Sequence, residues 1–124
     1  MYDYNTIKVE IFDEIAMVKF NRPKALNALN TEMSGELADL FNELANDKNV
    51  RGIILTGEGR AFMAGADISE MKNWDTAGGR EFARFSNYAF SKVSDIDKPT
   101  ICAINGFALG GGLELSLCCD WRIA

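Results

Sequence analysis

Alternating and helical hydrophobic patterns divide the first half of the chain into a hairpin and a helix. Residues 7–11 alternate apolar and polar side chains, and residues 15–20 follow after a short polar break, which predicts a β-hairpin with one half-exposed face. From residue 33 the apolar side chains recur every three or four positions, which predicts a core-facing helix that ends near residues 46–49. Asn30 or Thr31 is the expected cap of this helix.

The second half of the chain alternates apolar strands with helical patterns. Residues 52–56 are a continuous apolar run, typical of a strand covered on both sides. Residues 73–79 resemble a linker, and residues 82–94 then keep one apolar helical face. Residues 100–104 and 121–124 read as further strands, with the chain stopping inside the last one, which suggests a fragment. The order of elements predicts a layered α/β domain.

A glycine-rich stretch follows the strand at residues 100–104. After a turn at Asn105 and Gly106, three consecutive glycines, 110–112, precede a helical pattern in which Leu113, Leu117 and Cys118 share a face. Glycine in a helix costs about 1 kcal/mol relative to alanine, so three consecutive glycines are unfavourable here unless something requires a backbone without side chains. N–H groups in the first turn of a helix have no partner within the helix and attract a negatively charged or polarised oxygen. We therefore expect a ligand there.

Glu114 comes two residues after the last of these glycines. A carboxylate beside a pocket that stabilises negative charge indicates proton transfer next to a carbonyl that becomes an enolate. The alternative is tight packing of strand against helix, with Glu114 merely favourable in the first helical turn. The glycine spacing fits neither a dinucleotide-binding motif nor a phosphate loop.

A second candidate loop follows the strand at residues 52–56. Small residues, Ala64 to Ala66, stand directly before Asp67, which is a suitable cap for a short helix. Small residues also permit close approach of a ligand to the backbone. The alternative is a plain turn with a capping residue.

Composition narrows the possible chemistry. The chain has 124 residues, is 48% hydrophobic, and carries 18 acidic and 13 basic residues for a net charge of −5, so nucleic acid is a poor partner. No membrane-length apolar run or signal-peptide pattern is present, and a cytoplasmic location is expected. Histidine is absent, which leaves carboxylates as the leading acid/base groups. The three cysteines lack metal-site spacing and read as reduced core residues.

Taken together, four blocks resemble the crotonase family, also called the enoyl-CoA hydratase/isomerase superfamily. They are RPKALNAL at 22–29, GRAFMAGADISEM at 59–71, PTICAINGFALGGGLEL at 99–115 and CDWRIA at 119–124. The resemblance implies an α/β fold, a crotonase-like spiral of ββα turns, truncated before its C-terminal helical part. Residues 1–124 would then be the N-terminal portion of that domain.

The resemblance also implies an acyl-CoA site. The backbone N–H groups of Ala66 and Gly111 would form an oxyanion hole for the thioester oxygen. Residues at the family's CoA- and substrate-binding positions are Lys24, Ala25, Leu26, Ala28, Ala64, Ala66, Asp67, Ile68 and Gly111. For Lys24 the alternative is a solvated surface charge. We expect no metal and no cofactor beyond the CoA thioester substrate.

Glu114 matches the first of two glutamates that hydratases of this family place beside the reacting carbons. The resemblance therefore favours hydration of trans-2-enoyl-CoA to 3-hydroxyacyl-CoA. Double-bond isomerisation, another crotonase-type reaction and a non-catalytic acyl-CoA-binding fragment stay open, because the second glutamate is expected after Ala124. A full-length parent would be a trimer or a hexamer.

Overall fold

The computed structural model describes residues 2–124, which form seven strands and four α-helices. The strands are β1 (Ile7–Phe12), β2 (Ile15–Phe20), β3 (Gly52–Gly57), β4 (Ala61–Met63), β5 (Thr100–Ala103), β6 (Phe107–Ala108) and β7 (Trp121–Ile123). The helices are α1 (Thr31–Asn46), α2 (Ile68–Met71), α3 (Thr76–Asp95) and α4 (Gly111–Cys118), and a 3₁₀ turn (Pro23–Ala25) follows β2.

Five strands form the main sheet in the order β1-β2-β3-β5-β7. β1 and β2 pair antiparallel, whereas each later pair is parallel because a helical crossover joins the strands. β4 and β6 form a separate two-stranded parallel sheet. The predicted layered α/β architecture is confirmed, but sequence reasoning missed β4 and β6, which are too short for an alternating pattern.

The predicted hairpin is confirmed, with Ile7 opposite Phe20 in its register. Asp13 and Glu14 connect its strands at φ angles of 48° and 67°. Two consecutive residues in this region give the connection a twist that matches that of the strands. The alternate residues of β2, Ala16, Val18 and Phe20, are fully buried, as expected of a half-covered strand.

The core joins β2, β3 and β5 to the apolar faces of α1 and α3. All four apolar positions predicted along α1 after Met33 are buried: Leu37, Leu40, Phe41 and Leu44. Phe20 meets Phe62 edge to face, with ring centroids 5.5 Å apart, which links the main sheet to β4. Asn30 caps α1 by accepting a 2.8 Å hydrogen bond from the Met33 N–H, which decides between the two predicted caps.

The prediction of a linker over residues 73–79 is wrong, because α3 begins at Thr76. The Asp75 side chain caps this helix by accepting a 2.8 Å hydrogen bond from the Gly78 N–H. The Trp74 and Phe82 rings pack 4.5 Å apart and hold the N-terminal part of the helix against the preceding segment. A good cap and an aromatic contact outweigh the low helix propensity of two glycines.

The glycine-rich helix differs from the prediction in where it begins and in which face packs. α4 begins at Gly111, so two of the three glycines lie inside its first turn. Its packed residues are Gly112, Leu115 and Ser116, whereas Leu113 and Leu117 are 50% and 61% exposed. A β carbon at Gly112 would lie 1.9 Å from the Met63 carbonyl oxygen. The reason for glycine at position 112 is therefore close packing on β4 rather than a ligand.

Gly112→Ala is expected to destabilise the folded chain, because the new methyl group collides with the Met63 carbonyl. A backbone group cannot move aside by changing a side-chain rotamer. Overpacking of this kind typically costs about 1–3 kcal/mol. Gly79→Ala in α3 is the matched control, since its β carbon meets nothing within 4 Å. We expect that control to be stabilising by about 0.5–1 kcal/mol, the usual gain from alanine in a helix. Urea unfolding of both variants measures the difference, and equal stabilities would contradict the close packing of Gly112 on Met63.

β7 is the outer strand of the main sheet and pairs only with β5 among residues 2–124. All three of its residues are exposed, with Trp121 at 68% and Ile123 at 60%.

Cys102 and Cys119 are buried and Cys118 is half-buried, as expected of residues in or beside the core, and their reduced state stays a prediction. No helix in the described part of the chain is long and apolar enough to cross a bilayer.

Candidate functional site

Two segments far apart in sequence, 26–29 and 64–67, run side by side in parallel. The Leu29 N–H donates to the Gly65 carbonyl at 2.7 Å, and the Asp67 N–H donates to the Leu29 carbonyl at 2.8 Å. The Ala64 N–H donates to the Leu26 carbonyl at 3.1 Å. These bonds place the predicted CoA-binding residues of the first block beside those of the second.

The loop at residues 64–67 also contacts the start of α4, through two glycines with positive φ. Gly65 has a φ of 104° and Gly110 a φ of 51°, a region that other residues rarely occupy. A β carbon on Gly110 would lie 3.8 Å from the Gly65 Cα, and one on Gly65 would lie 3.5 Å from the Leu109 carbonyl oxygen. The structure therefore brings together the two loops singled out from the sequence.

The orientation of the Ala66 N–H follows from the bond made by the residue before it. The peptide that joins Gly65 to Ala66 is planar and trans, so its C=O and its N–H point in opposite directions. Because the Gly65 carbonyl faces Leu29, the Ala66 N–H points away from that segment. Across residues 2–124 it donates to no acceptor.

Gly111 supplies a second free donor from the other loop. It is the first residue of α4, where N–H groups have no acceptor within the helix. Its N–H finds no acceptor elsewhere in the part of the chain that the structure describes. Two free N–H groups on adjacent loops, one of them at the positive end of a helix dipole, are suited to hold a polarised carbonyl oxygen.

The surroundings of Gly111 are apolar. A β carbon there would lie 3.8 Å from Leu29 Cδ2 and 4.0 Å from Phe90 Cζ. Both side chains are buried, at 2% and 8% exposure. Hydrogen bonds to a charged oxygen are stronger beside such walls than in water, because the local dielectric constant is lower.

Glu114 lies one helical turn after Gly111. Its N–H donates to the Gly110 carbonyl at 3.0 Å, which closes the first turn of α4. Residues three positions apart are neighbours on the surface of a helix, so Glu114 lies one turn from the Gly111 donor. Glu114 is exposed to solvent. The acid/base role of Glu114 stays a prediction.

Asp67 is held by partners on both carboxylate oxygens. Oδ1 accepts from the Ser69 N–H at 3.0 Å and from Ser69 Oγ at 2.6 Å, which confirms the predicted cap of α2. Oδ2 lies 2.7 Å from Arg22 Nη2. The hydrogen bonds from Ser69, followed by the one from Arg22, lower the pKa of Asp67 to about 2. Asp67 is therefore a fixed anion at neutral pH, and its contact with CoA stays a prediction.

Sequence reasoning missed two residues that organise this region, Arg22 and Asn27. Asn27 is fully buried, and its Nδ2 donates to the carbonyl oxygens of Ala61 at 2.8 Å and Glu58 at 3.0 Å. Both residues lie in the block RPKALNAL, so the family resemblance identified this segment but not what these two side chains do. Asp67 is 45 positions from Arg22, and the carbonyl partners of Asn27 are 31 and 34 positions away, so only the fold reveals these contacts.

The remaining predicted CoA-binding residues line the outside of the same region. Lys24 is exposed in the 3₁₀ turn, beside an open groove of about 370 Å³. Ile68 is 72% exposed at the start of α2. The small and apolar members of the set are half-buried: Ala25, Leu26, Ala28, Ala64 and Ala66. The positions are compatible with a surface path for CoA, and the individual contacts stay predictions.

A separate cleft of about 390 Å³ lies far from this chemistry, between the N-terminal segment and α1. The Tyr2 hydroxyl donates to Asp47 at 2.6 Å, and the Tyr4 hydroxyl donates to Asp39 at 2.7 Å. Burial and these carboxylates raise the pKa of both tyrosines. The acidic walls of the cleft repel phosphate, so it is a poor place for CoA.

Comparisons with known proteins find relatives over nearly the whole chain. The family model described as enoyl-CoA hydratase/isomerase matches residues 10–124. A short-chain-enoyl-CoA hydratase of Clostridium acetobutylicum is 47% identical over 98% of this chain and 47% of its own length. A crotonyl-CoA hydratase of Syntrophomonas wolfei is 43% identical over 98% of this chain and 47% of its own length.

Solved structures show the same fold. A crystal structure of an enoyl-CoA hydratase from Bacillus anthracis superposes with a TM-score of 0.95 at 36% identity, covering 97% of this chain and 47% of that one. The predicted crotonase-like fold is thereby confirmed. The chain spans about half the length of the curated relatives it matches.

Proposed function

The chain belongs to the enoyl-CoA hydratase/isomerase family, and from that membership we propose that it supplies the oxyanion hole of an enzyme that hydrates trans-2-enoyl-CoA to 3-hydroxyacyl-CoA. The observation that carries the proposal is the pair of free N–H groups, Ala66 and Gly111, on two adjacent loops. The names of the two hydratase relatives support this reaction over double-bond isomerisation.

In this mechanism the thioester oxygen accepts hydrogen bonds from the Ala66 and Gly111 N–H groups. Water adds to C3 of the enoyl group, one of its protons passes to a base, and negative charge moves onto the thioester oxygen as an enolate. The two N–H groups stabilise that charge where it develops. A proton then returns to C2, which restores the thioester and completes the 3-hydroxyacyl product.

Glu114 supplies one of the two proton-transfer groups that the reaction needs. Glu114 is one helical turn from the Gly111 donor, which supports a place for its carboxylate beside the reacting carbons. The proposal includes a second carboxylate outside residues 1–124, as the family resemblance implies. Without that partner, one proton transfer has to go through bulk water.

The substrate is proposed to lie along the two neighbouring segments, 24–28 and 64–68. Exposed Lys24 would face the CoA phosphates, and the small residues of both segments allow the acyl-CoA to approach the backbone. The CoA thioester is the substrate and no other cofactor is proposed. A cytoplasmic location and a trimeric or hexameric full-length protein complete the proposal.

Crotonyl-CoA hydration tests this function directly. The loss of enoyl absorbance is measured for the full-length gene product that carries these residues and for the isolated 124-residue chain, after circular dichroism confirms that both are folded. We expect the full-length product to hydrate crotonyl-CoA and the isolated chain to be slower by about 10²–10⁴, because one proton-transfer group is missing.

Two outcomes would contradict the proposal in different ways. Equal rates per site would show that the catalytic set is complete within residues 1–124 and that no second carboxylate is needed. A full-length product that converts 3-enoyl-CoA to 2-enoyl-CoA, without hydrating crotonyl-CoA, would be an isomerase.

A further inference from the structure

The guanidinium group of Arg22 bridges the 26–29 and 64–67 segments, the second of which carries the Ala66 donor of the proposed oxyanion hole. Nη1 donates to the Ala28 carbonyl of the 26–29 segment, and Nη2 lies 2.7 Å from Asp67 Oδ2 on the other. We propose that Arg22 is a positioning residue, which fixes the direction of the Ala66 N–H by clamping these segments together. This inference rests on the proposed function, because it concerns the same thioester oxygen.

The clamp is shielded from solvent and anchored in the interior. The side chains of Arg22 and Asp67 are only 22% and 12% exposed, so water competes less for their charges than at the surface. The Arg22 N–H donates to Asn27 Oδ1 at 2.8 Å, and fully buried Asn27 in turn holds the Ala61 carbonyl. The planar fork of arginine provides two donors in fixed directions, which a lysine cannot do.

The clamp acts on the bond that aims the Ala66 N–H. That N–H shares a peptide plane with the Gly65 carbonyl, which accepts from the Leu29 N–H. Arg22 binds the residue before Leu29 and the residue after Ala66, so it ties together the two segments whose ladder holds the Gly65–Ala66 peptide. If the ladder loosens, the plane can rotate, and a misplacement of about 1 Å can cost about 10²-fold in rate.

Arg22→Gln in the full-length gene product is the first test. We expect kcat for crotonyl-CoA hydration to fall about 10–100-fold while KM changes less than about threefold, because the lost interaction acts on transition-state charge. Arg22→Lys keeps the charge but offers a single ammonium group to two acceptors, and we expect it to recover only part of the loss.

The enolate absorbance of a bound thioester reports on the geometry of the oxyanion hole without turnover. Acetoacetyl-CoA is an enolisable thioester whose enolate absorbs in the near ultraviolet, and a well-placed hole raises its enolate fraction on binding. We expect Arg22→Gln to weaken this band at saturating acetoacetyl-CoA. A lost CoA contact would leave the band of the saturated protein unchanged.

Two further variants separate positioning from general damage. Asp67→Asn breaks the same ion pair from the other side while its Oδ1 can still accept from Ser69, and we expect the same fall in kcat and in the enolate band. Arg51→Gln removes an exposed ion pair with Glu14, whose side chains are 78% and 57% exposed, and we expect it to match the wild type.

The outcomes are distinguishable. A raised KM with unchanged kcat and an unchanged enolate band would overturn the inference, because Arg22 would then serve only CoA binding. A wild type that forms the enolate without hydrating crotonyl-CoA would contradict the proposed reaction, and the band would still test Arg22. A wild type with neither activity would overturn both assignments.

Discussion

Replacing Glu114 with glutamine is expected to lower kcat for crotonyl-CoA hydration by about 10²–10⁴-fold in the full-length gene product, the usual effect of losing a proton-transfer group. Glutamine has the same size and can still accept a hydrogen bond, but it cannot take up a proton. Because Glu114 is exposed and makes no ion pair within residues 2–124, the fold and the binding of CoA should be unaffected. Stopped-flow and steady-state hydration assays measure the change.

Glu81→Gln is the matched control for this prediction. Glu81 is an exposed helical glutamate, 3.8 Å from Arg84, and surface pairs of this kind contribute little to stability. We expect its turnover to equal that of the wild type. Near-normal turnover in Glu114→Gln as well would show that Glu114 only favours the first turn of α4, which was the alternative reading of its sequence position.

Gly111→Pro is expected to reduce kcat by about 10²–10³-fold, because it removes an N–H that would bind the thioester oxygen. Loss of one such donor typically costs about 2.7–4 kcal/mol in the transition state. Proline is well tolerated as the first residue of a helix, where its missing N–H leaves no intrahelical bond unmade. The position of Gly111 at the start of α4 therefore allows the N–H to be deleted at small structural cost.

Gly111→Ala is the control, since it adds a side chain and keeps the N–H. The new β carbon would lie 3.8 Å from Leu29 and 4.0 Å from Phe90, which are ordinary contact distances. We expect this variant to retain turnover within a few-fold of the wild type. If both variants are folded by circular dichroism and equally active, the Gly111 N–H plays no part in catalysis.

Features encoded by adjacent residues were predictable from the sequence. Asn30 and Asp67 were both identified as helix caps, since a capping side chain acts on N–H groups two or three positions later. The apolar face of α1 and the β1–β2 hairpin were predictable from the periodicity of apolar residues alone. The linker predicted at residues 73–79 failed because Asp75 makes a local cap that the two following glycines obscured.

Features that depend on distant contacts were not predictable. Gly112 requires its bare backbone because the Met63 carbonyl approaches it, and no spacing rule relates these two positions. Arg22 and Asp67 are 45 positions apart, so their ion pair exists only in the folded chain. The resemblance to a known family supplied the candidate donors at Ala66 and Gly111, whereas the residues themselves indicated only a ligand at the glycine-rich helix start and close approach to the backbone at residues 64–66.

The exposed edge of β7 makes the behaviour of the isolated chain depend on ionic strength. An edge strand presents unpaired N–H and C=O groups to which a second copy can add its own edge. The net charge of −5 opposes this approach within the Debye length, which shrinks from about 30 Å at 0.01 M salt to about 8 Å at 0.15 M. The rate per chain should therefore be measured with dilute protein in low-salt buffer, where this association is weakest.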